Sequence, residues 1–562
     1  MKQRLDYAMM NTDISTVNNK LRRIDLYGLK MGRLMIKRKY ELFVAHFNSK
    51  KTGIAVGIIF FITLLPIIYL GLHNYASGDD YWYGIHTYRG LKEAGLIGAL
   101  KGSFLTVAEF YETWQGTWFT IFLFTLSPHH FHEKGYVITV FLSLGLLIGS
   151  FTCLAHFYLV KKLNFSRGTV ATIECMVLYL AIQYIPRTTS GIFWFNGIMH
   201  YSVPFLLAVM AVIYSHKFVS SKSKKDYAVL FICFTLLGGG SYLVPIASSL
   251  AVCLILLSQI GVREINWREK RFSFTYDWSN LWILAAFLAE LTGLLISFLA
   301  PGNKVRGGEE FGADLKWGLR CIYYAIDRGI YLGEDYFLKN AVTTVIYLML
   351  AVLIWNQMWR CTGKKIKFRL PLLFVICTNG IYWACYVPEI YARSDVSGGV
   401  PNTYFHIFLI ITLANIIYVH GWIQQQLIRY WEKKAANAGM TYDEVRKKSI
   451  WSQEKYRTYF MFPVMALGLI VLLIAVRFSN LATTNDYCVE YVTSGKMAQY
   501  VEVRKEQYKI LSDPSVEDAV VPEVRESQYP LLHMPLGNKG ENFNIDQALY
   551  YNKHSLDSYR VD

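Results

Sequence analysis

Apolar runs separated by short basic stretches dominate the chain from residue 53 onward. The first, Gly53 to His73, holds about 20 apolar residues, enough to cross a ~30 Å hydrocarbon core. Similar runs lie at 136–160, 169–185, 198–216, 227–238, 243–260, 281–300, 341–359, 370–386, 404–424 and 458–478. Together they predict an all-α integral membrane protein with roughly eleven spans. Residues 104–127 end in an apolar stretch, Trp118 to Leu126, but Glu109 and Glu112 interrupt their front half. That pattern predicts a surface or partly embedded helix. The 227–238 run is short and is followed at once by Gly238-Gly239-Gly240, which predicts a tight helical hairpin.

Composition agrees with this reading. Of the 562 residues, 53% are hydrophobic and 16% aromatic, which excludes an ordinary soluble multidomain protein. A net charge of +16 would suggest a nucleic-acid partner in a soluble chain. Here Lys and Arg crowd the N-terminus and alternate connections (Lys161/Lys162/Arg167, Lys217 to Lys225, Arg263 to Arg271, Lys364 to Arg369, and 425–457), so the charge reports topology and implies no nucleic acid. The positive-inside rule then places the N-terminus in the cytoplasm and, with an odd span count, the C-terminus outside.

Three regions follow: a basic cytoplasmic segment 1–52, a membrane domain 53–478 whose first outer loop is 74–135, and an extracytoplasmic appendage 479–562. The appendage reads as helical over Asp486 to Leu511 and irregular beyond, where Pro514, Pro522, Pro530 and Pro535 punctuate it. No small-residue cleavage site follows the first run, which is read as an uncleaved helix. Most cysteines fall within spans and show no metal spacing; Cys321 and Cys488 are placed outside, where a bridge between them could form.

Polar groups gather at helix ends on the predicted outer side. Asp79 and Asp80, in S-G-D-D-Y-W-Y-G, are two like charges at the membrane surface, a costly arrangement unless a cationic or protic partner uses them. Either suits a general base; the alternative is that they cap the next helix. Glu112 and Trp114 lie in Y-E-T-W-Q-G-T-W. Arg306 follows A-P-G-N-K-V, and Arg393 lies in P-E-I-Y-A-R-S-D; each could hold a lipid phosphate through its planar fork or simply snorkel to headgroups. Trp194, Asn196 and Tyr201, in W-F-N-G-I-M-H-Y, offer aromatic faces and an amide for a sugar ring, or belong to an aromatic belt. Glu174 and Glu290, inside spans, suit a proton or ion path, but they stand alone without a basic partner.

At these motifs the chain resembles a bacterial family of multispanning proteins, the DUF6056 type, related to the GT-C glycosyltransferases. The likeness rests on the Asp pair after the first span, the W-x-x-G-type stretch at Trp114, W-F-N-G-x-x-x-Y, A-P-G-N-x-x-R, P-x-x-x-x-R-S, and N-F-N followed by Tyr550-Tyr551. One departure is Thr117, where an Arg is expected. The resemblance implies a GT-C-like bundle with outer juxtamembrane helices in a bacterial cytoplasmic membrane. It implies transfer of a sugar from a polyprenyl-phosphate (undecaprenyl) donor to a cell-envelope glycan acceptor on the extracytoplasmic side. Asp79 and Asp80 take the acidic position; Arg306, Arg393, Trp194, Asn196, Tyr201, Glu112 and Trp114 are the expected binding residues. Paired carboxylates also suit a hard divalent cation, but a phosphate already leaves readily, so no cofactor is expected to be required. The rival readings are a flippase or transporter of a lipid-linked glycan, which would call for inverted repeats and midplane polar sites, and a polysaccharide polymerase.

Overall fold

The computed structural model describes residues 49–266, 271–307, 315–360, 366–392, 398–448, 454–479, 481–524, 526–531 and 534–561. The basic segment 1–48 and Arg393 lie outside the described residues. Among the described residues, seven helices are long and apolar enough to cross a membrane: Ser49–Gly71, Glu133–Lys162, Phe195–Ser221, Trp278–Phe298, Ala341–Trp359, Pro371–Ala392 and Val400–Asn437. Leu243–Ser258 and Pro463–Phe478 are shorter apolar helices. The first helix shows why lipid is their solvent. It buries Leu64, Ile67 and Leu70 and leaves Ile58, Phe61, Ile62 and Leu65 exposed, so an apolar face stays uncovered by protein.

The segment 104–127 is no single helix. Helix Ile85–Thr113 ends at Trp114, and a separate helix Trp118–Phe124 follows. At ~1.5 Å per residue the second is about 10 Å long, too short to span. Ile85–Thr113 itself folds back at Ala94 and Gly95, where Gly95 takes φ 62°, so its two halves pack against each other. His86 meets Glu109 at 2.6 Å and Thr87 meets Ser103 at 3.2 Å across that hairpin. After Gly238–Gly240 the chain does turn, but helices Lys224–Leu237 and Leu243–Ser258 diverge. The first packs on Val203–Ser221 and Trp282–Phe298, the second on Val203–Ser221 and Pro371–Ala384.

The C-terminal segment holds more structure than its prolines suggest. Thr483 and Asp486 form a reciprocal capping box that starts helix Thr484–Thr493. Helix Lys496–Ser512, strand Asp518–Val524, helix Asn542–Tyr550 and strand Ser555–Val561 follow. The strands pair in parallel, Asp518 opposite Ser555 through Val524 opposite Val561. Leu511, Ala519, Val521, Leu536, Ala548 and Leu556 make their core. Cys321 and Cys488 are both buried and unbridged.

Candidate functional site

The connection after the first span turns sharply at Gly78, whose φ is 50° and whose position leaves no room for a Cβ beside Met534. The turn starts the short helix Asp79–Trp82 and sends its two acids in different directions. Asp80 is fully buried. Its Oδ2 accepts from the Ser77 amide at 3.0 Å and from the Tyr136 hydroxyl at 2.7 Å, and Oδ1 is buried without a partner. The Tyr136 oxygen in turn accepts from the Phe195 amide at 3.0 Å. Asp80 therefore ties its own turn to the W-F-N-G segment. Burial, only partly offset by those hydrogen bonds, pushes its pKa up to about 7.

Asp79 is partly exposed and faces Arg306 electrostatically. Burial raises its pKa, and the Arg306 charge opposes the rise. Arg306 itself is exposed, but the short helix that carries it is anchored. Asn303 donates to the Ser297 and Phe298 carbonyls at 2.6 and 3.0 Å, which ties the helix Gly302–Gly307 to the end of the span Trp278–Phe298. The Gly116 amide donates to Asn303 Oδ1 at 3.2 Å. The guanidinium lies 5.3 Å from the centre of the Trp114 ring and donates to Gln115. The W-Q-G stretch and the A-P-G-N-x-x-R stretch thus meet, although they are far apart in the chain.

The W-F-N-G segment forms the third wall. Trp194 is extended between two π-helical turns, Thr189–Phe193 and Ile198–Ser202. Asn196 is buried with both its amide nitrogen and its oxygen unpartnered. His200 meets Thr120 at 3.0 Å, and the Tyr201 ring lies against Gly398 and Gly399. Tyr83, buried between Asp79, Arg306 and Tyr201, has its pKa raised by burial and then by the Asp79 charge. Arg306, Trp114 and Tyr201 thus converge near Asp79, and the segment that carries Asn196 packs on the helix Asp79–Trp82. Glu112 is exposed, with no hydrogen bond or ion pair among the described residues. Thr117 is buried, its hydroxyl unpartnered. Glu290 accepts from Ser249 at 2.5 Å and Glu174 from Thr152, so each acid holds two helices together.

Two features carry no signal in the sequence pattern. Arg504, from the C-terminal segment, donates to the Ala76 carbonyl at 2.7 Å, the Tyr81 hydroxyl at 2.8 Å and Glu133 at 3.2 Å. Tyr81 and Tyr551 donate to the same Glu133 at 2.9 and 3.2 Å. Beside this network, burial holds His129 and His130 neutral, their pKa values pushed down, that of His130 to about 3. The second feature is Asp546, whose carboxyl is pushed up to about 6 by burial and then by the charge of Asp79.

Among the described residues no group of three or more His, Cys, Asp or Glu is arranged to hold a metal ion. Asp80 turns away from Asp79, so the pair does not present two carboxylates to one cation. No family profile matches the chain, and no curated protein matches it.

Proposed function

We propose that the chain is a membrane glycosyltransferase of the GT-C kind, using a polyprenyl-phosphate sugar as donor and a cell-envelope glycan as acceptor. The observation that carries this reading is Asp79 facing Arg306 at the end of an apolar helix, with Trp114 and Tyr201 around them. A guanidinium tethered to Gln115 over the Trp114 ring suits a lipid phosphate, and a half-buried carboxylate facing it suits the removal of a hydroxyl proton. The multispan topology with about eleven crossings and the site outside is part of the same proposal.

In the reaction, Asp79 takes the acceptor hydroxyl proton as its oxygen attacks the anomeric carbon. The bond from that carbon to the phosphate oxygen breaks, and its electron pair leaves on polyprenyl phosphate. Arg306 stabilises the charge that develops there, an interaction worth ~1.5–3 kcal/mol for a charged hydrogen bond. A carboxylate whose pKa is raised by burial is a stronger base, and the Arg306 charge beside it opposes that rise. Asp80 acts through Tyr136 by holding the W-F-N-G wall and is a positioning residue.

The test is purified protein in liposomes with undecaprenyl-phosphate glucose and a panel of neutral disaccharide acceptors. The reading requires a new glycosidic bond and free polyprenyl phosphate without any ion gradient. Movement of the lipid between leaflets with no bond change would replace it with the flippase reading.

A further inference from the structure

The C-terminal segment reaches the site from two directions. At one side, the Met534 amide donates to Ser77 Oγ at 2.8 Å, one residue before Gly78. At the other, the Tyr550 ring lies 5.0 Å from Tyr81 and stacks on Tyr88 at 4.2 Å, while its hydroxyl meets His130 at 2.9 Å. Arg89 donates to the Leu549 carbonyl at 2.8 Å. Between these anchors runs the helix Asn542–Tyr550, packed on Asp79–Trp82. Asp546 lies one turn before Tyr550, so both share the helix face turned to Asp79–Trp82. The segment brackets Gly78 to Tyr81, and it brings Asp546 close enough to Asp79 for their charges to interact.

We propose that Asp546 forms the acceptor side of the site opposite Asp79, and that the two carboxylates select an acceptor whose attacked hydroxyl is flanked by neutral or cationic groups. The proposal rests on the glycosyl-transfer reading above. Arg306 stands on the donor side, its guanidinium over the Trp114 ring at 5.3 Å. Two cations on the neighbouring helix Ile85–Thr113 point elsewhere: Arg89 to the Leu549 carbonyl, and Lys92 over the Tyr88 ring at 5.3 Å. Asp80, on the same short helix as Asp79, is turned into the protein. A uronate or phosphate next to the attacked hydroxyl would add a third negative charge to a half-buried acidic pair. There the screening is weaker than in water, and like charges repel strongly. Neutral sugar hydroxyls would instead donate hydrogen bonds to Asp546, fixing the ring while Asp79 removes the proton.

The experiment measures kcat/KM in liposomes with undecaprenyl-phosphate glucose and neutral disaccharides, each paired with its uronic-acid counterpart. Wild type should favour the neutral member by tenfold or more. Asp546→Asn should cut that ratio at least threefold, through KM for the acceptor and with KM for the donor unchanged. Asp546→Glu, which keeps the charge, should retain the ratio. Asp557→Asn, in the same segment but bonded to the Lys539 and Ser558 amides, should leave it unmoved and controls for loosening of the segment. Transfer with the wild-type ratio in Asp546→Asn, or a wild type that prefers the anionic acceptor, would overturn the role of Asp546 alone. Absence of transfer to every acceptor would overturn the glycosyl-transfer reading and this proposal with it.

Discussion

Asp80→Asn separates a structural acid from a reacting one, and its effect can be worked from the burial of the carboxyl. The ordinary value of 3.8 rises to about 7 in the folded protein. The folded state therefore holds a proton that the unfolded chain has released. A raised carboxyl contributes stability that is fully present below the unfolded value and is lost as pH rises through the folded one. Between pH 5.5 and 7 the unfolded chain has almost no proton on this group, while the folded chain goes from nearly a full proton to about half of one. The slope starts near ~1.36 kcal/mol per pH unit and halves by pH 7, so wild type loses ~1.6 kcal/mol over that interval and ~0.4 kcal/mol beyond it. Asparagine cannot ionise. Its Oδ1 can accept from Ser77 and Tyr136 as Asp80 Oδ2 does, and its amide then occupies the place of the unpartnered Oδ1 at a cost of ~1–3 kcal/mol.

The assay is thermal melting in one detergent from pH 5.5 to 8.5, read as the difference between variant and wild type. The subtraction cancels the opposite trend from His129 and His130, whose lowered values make the fold lose stability as pH falls. At ~2.1 cal/mol/K per residue, ~1.6 kcal/mol shifts the melt of a 562-residue chain by ~1.4 °C, and by more if the first connection melts alone. The variant should be the less stable protein, or its equal, at pH 5.5 and should gain on wild type as pH rises. Parallel pH curves for the two proteins would refute the burial argument for Asp80.

Asp79→Asn should abolish transfer while leaving insertion and the melt near wild type; full transfer would remove Asp79 from the reaction. Arg306→Lys keeps the charge and loses the fork over the Trp114 ring, so transfer should slow by roughly tenfold or more, measured as release of polyprenyl phosphate. Arg504→Met leaves Glu133 buried and without its cation, and should destabilise the protein by ~3–5 kcal/mol. Limited proteolysis should then release the C-terminal segment, and an unchanged digest would argue against the network as its anchor. Cysteine labelling from outside in a Cys-free background should reach position 539 and miss 223 and 440; labelling at 223 would reverse the proposed topology.

What could be read from the linear pattern is what depends on near neighbours. A span needs a run of apolar residues and nothing else, so helices such as Ser49–Gly71 and Trp278–Phe298 stand where the runs stand. Asn303 and Arg306 were visible as a motif for a similar reason: the residues that tie the turn to its span lie within a few positions of each other. The different fates of Asp79 and Asp80 were not legible. They are decided by Tyr136, which lies 56 positions from Asp80 and takes only one of two adjacent acids.

The C-terminal segment was harder still, and the reason is physical. Asp518–Val524 contains Pro522, and proline reads against a strand because it lacks a ladder donor. In a two-stranded sheet both strands are edges, so the missing donor can point away from the partner, and the rule that excludes proline from central strands does not apply. Its partner strand begins 37 residues after the first one does, beyond the reach of any local pattern. Arg504, Glu133 and Asp546 are single charges in polar stretches, where most charges are solvated and mean little. Their weight comes from burial and from partners hundreds of positions away: Ala76 and Tyr81 for Arg504, and Asp79 for Asp546. The residues nearest the membrane are thus set by hydrophobicity that any window detects. Those that close the site are set by a segment whose docking only the folded chain reveals, which makes Asp546 the position where a substitution tests most about the acceptor.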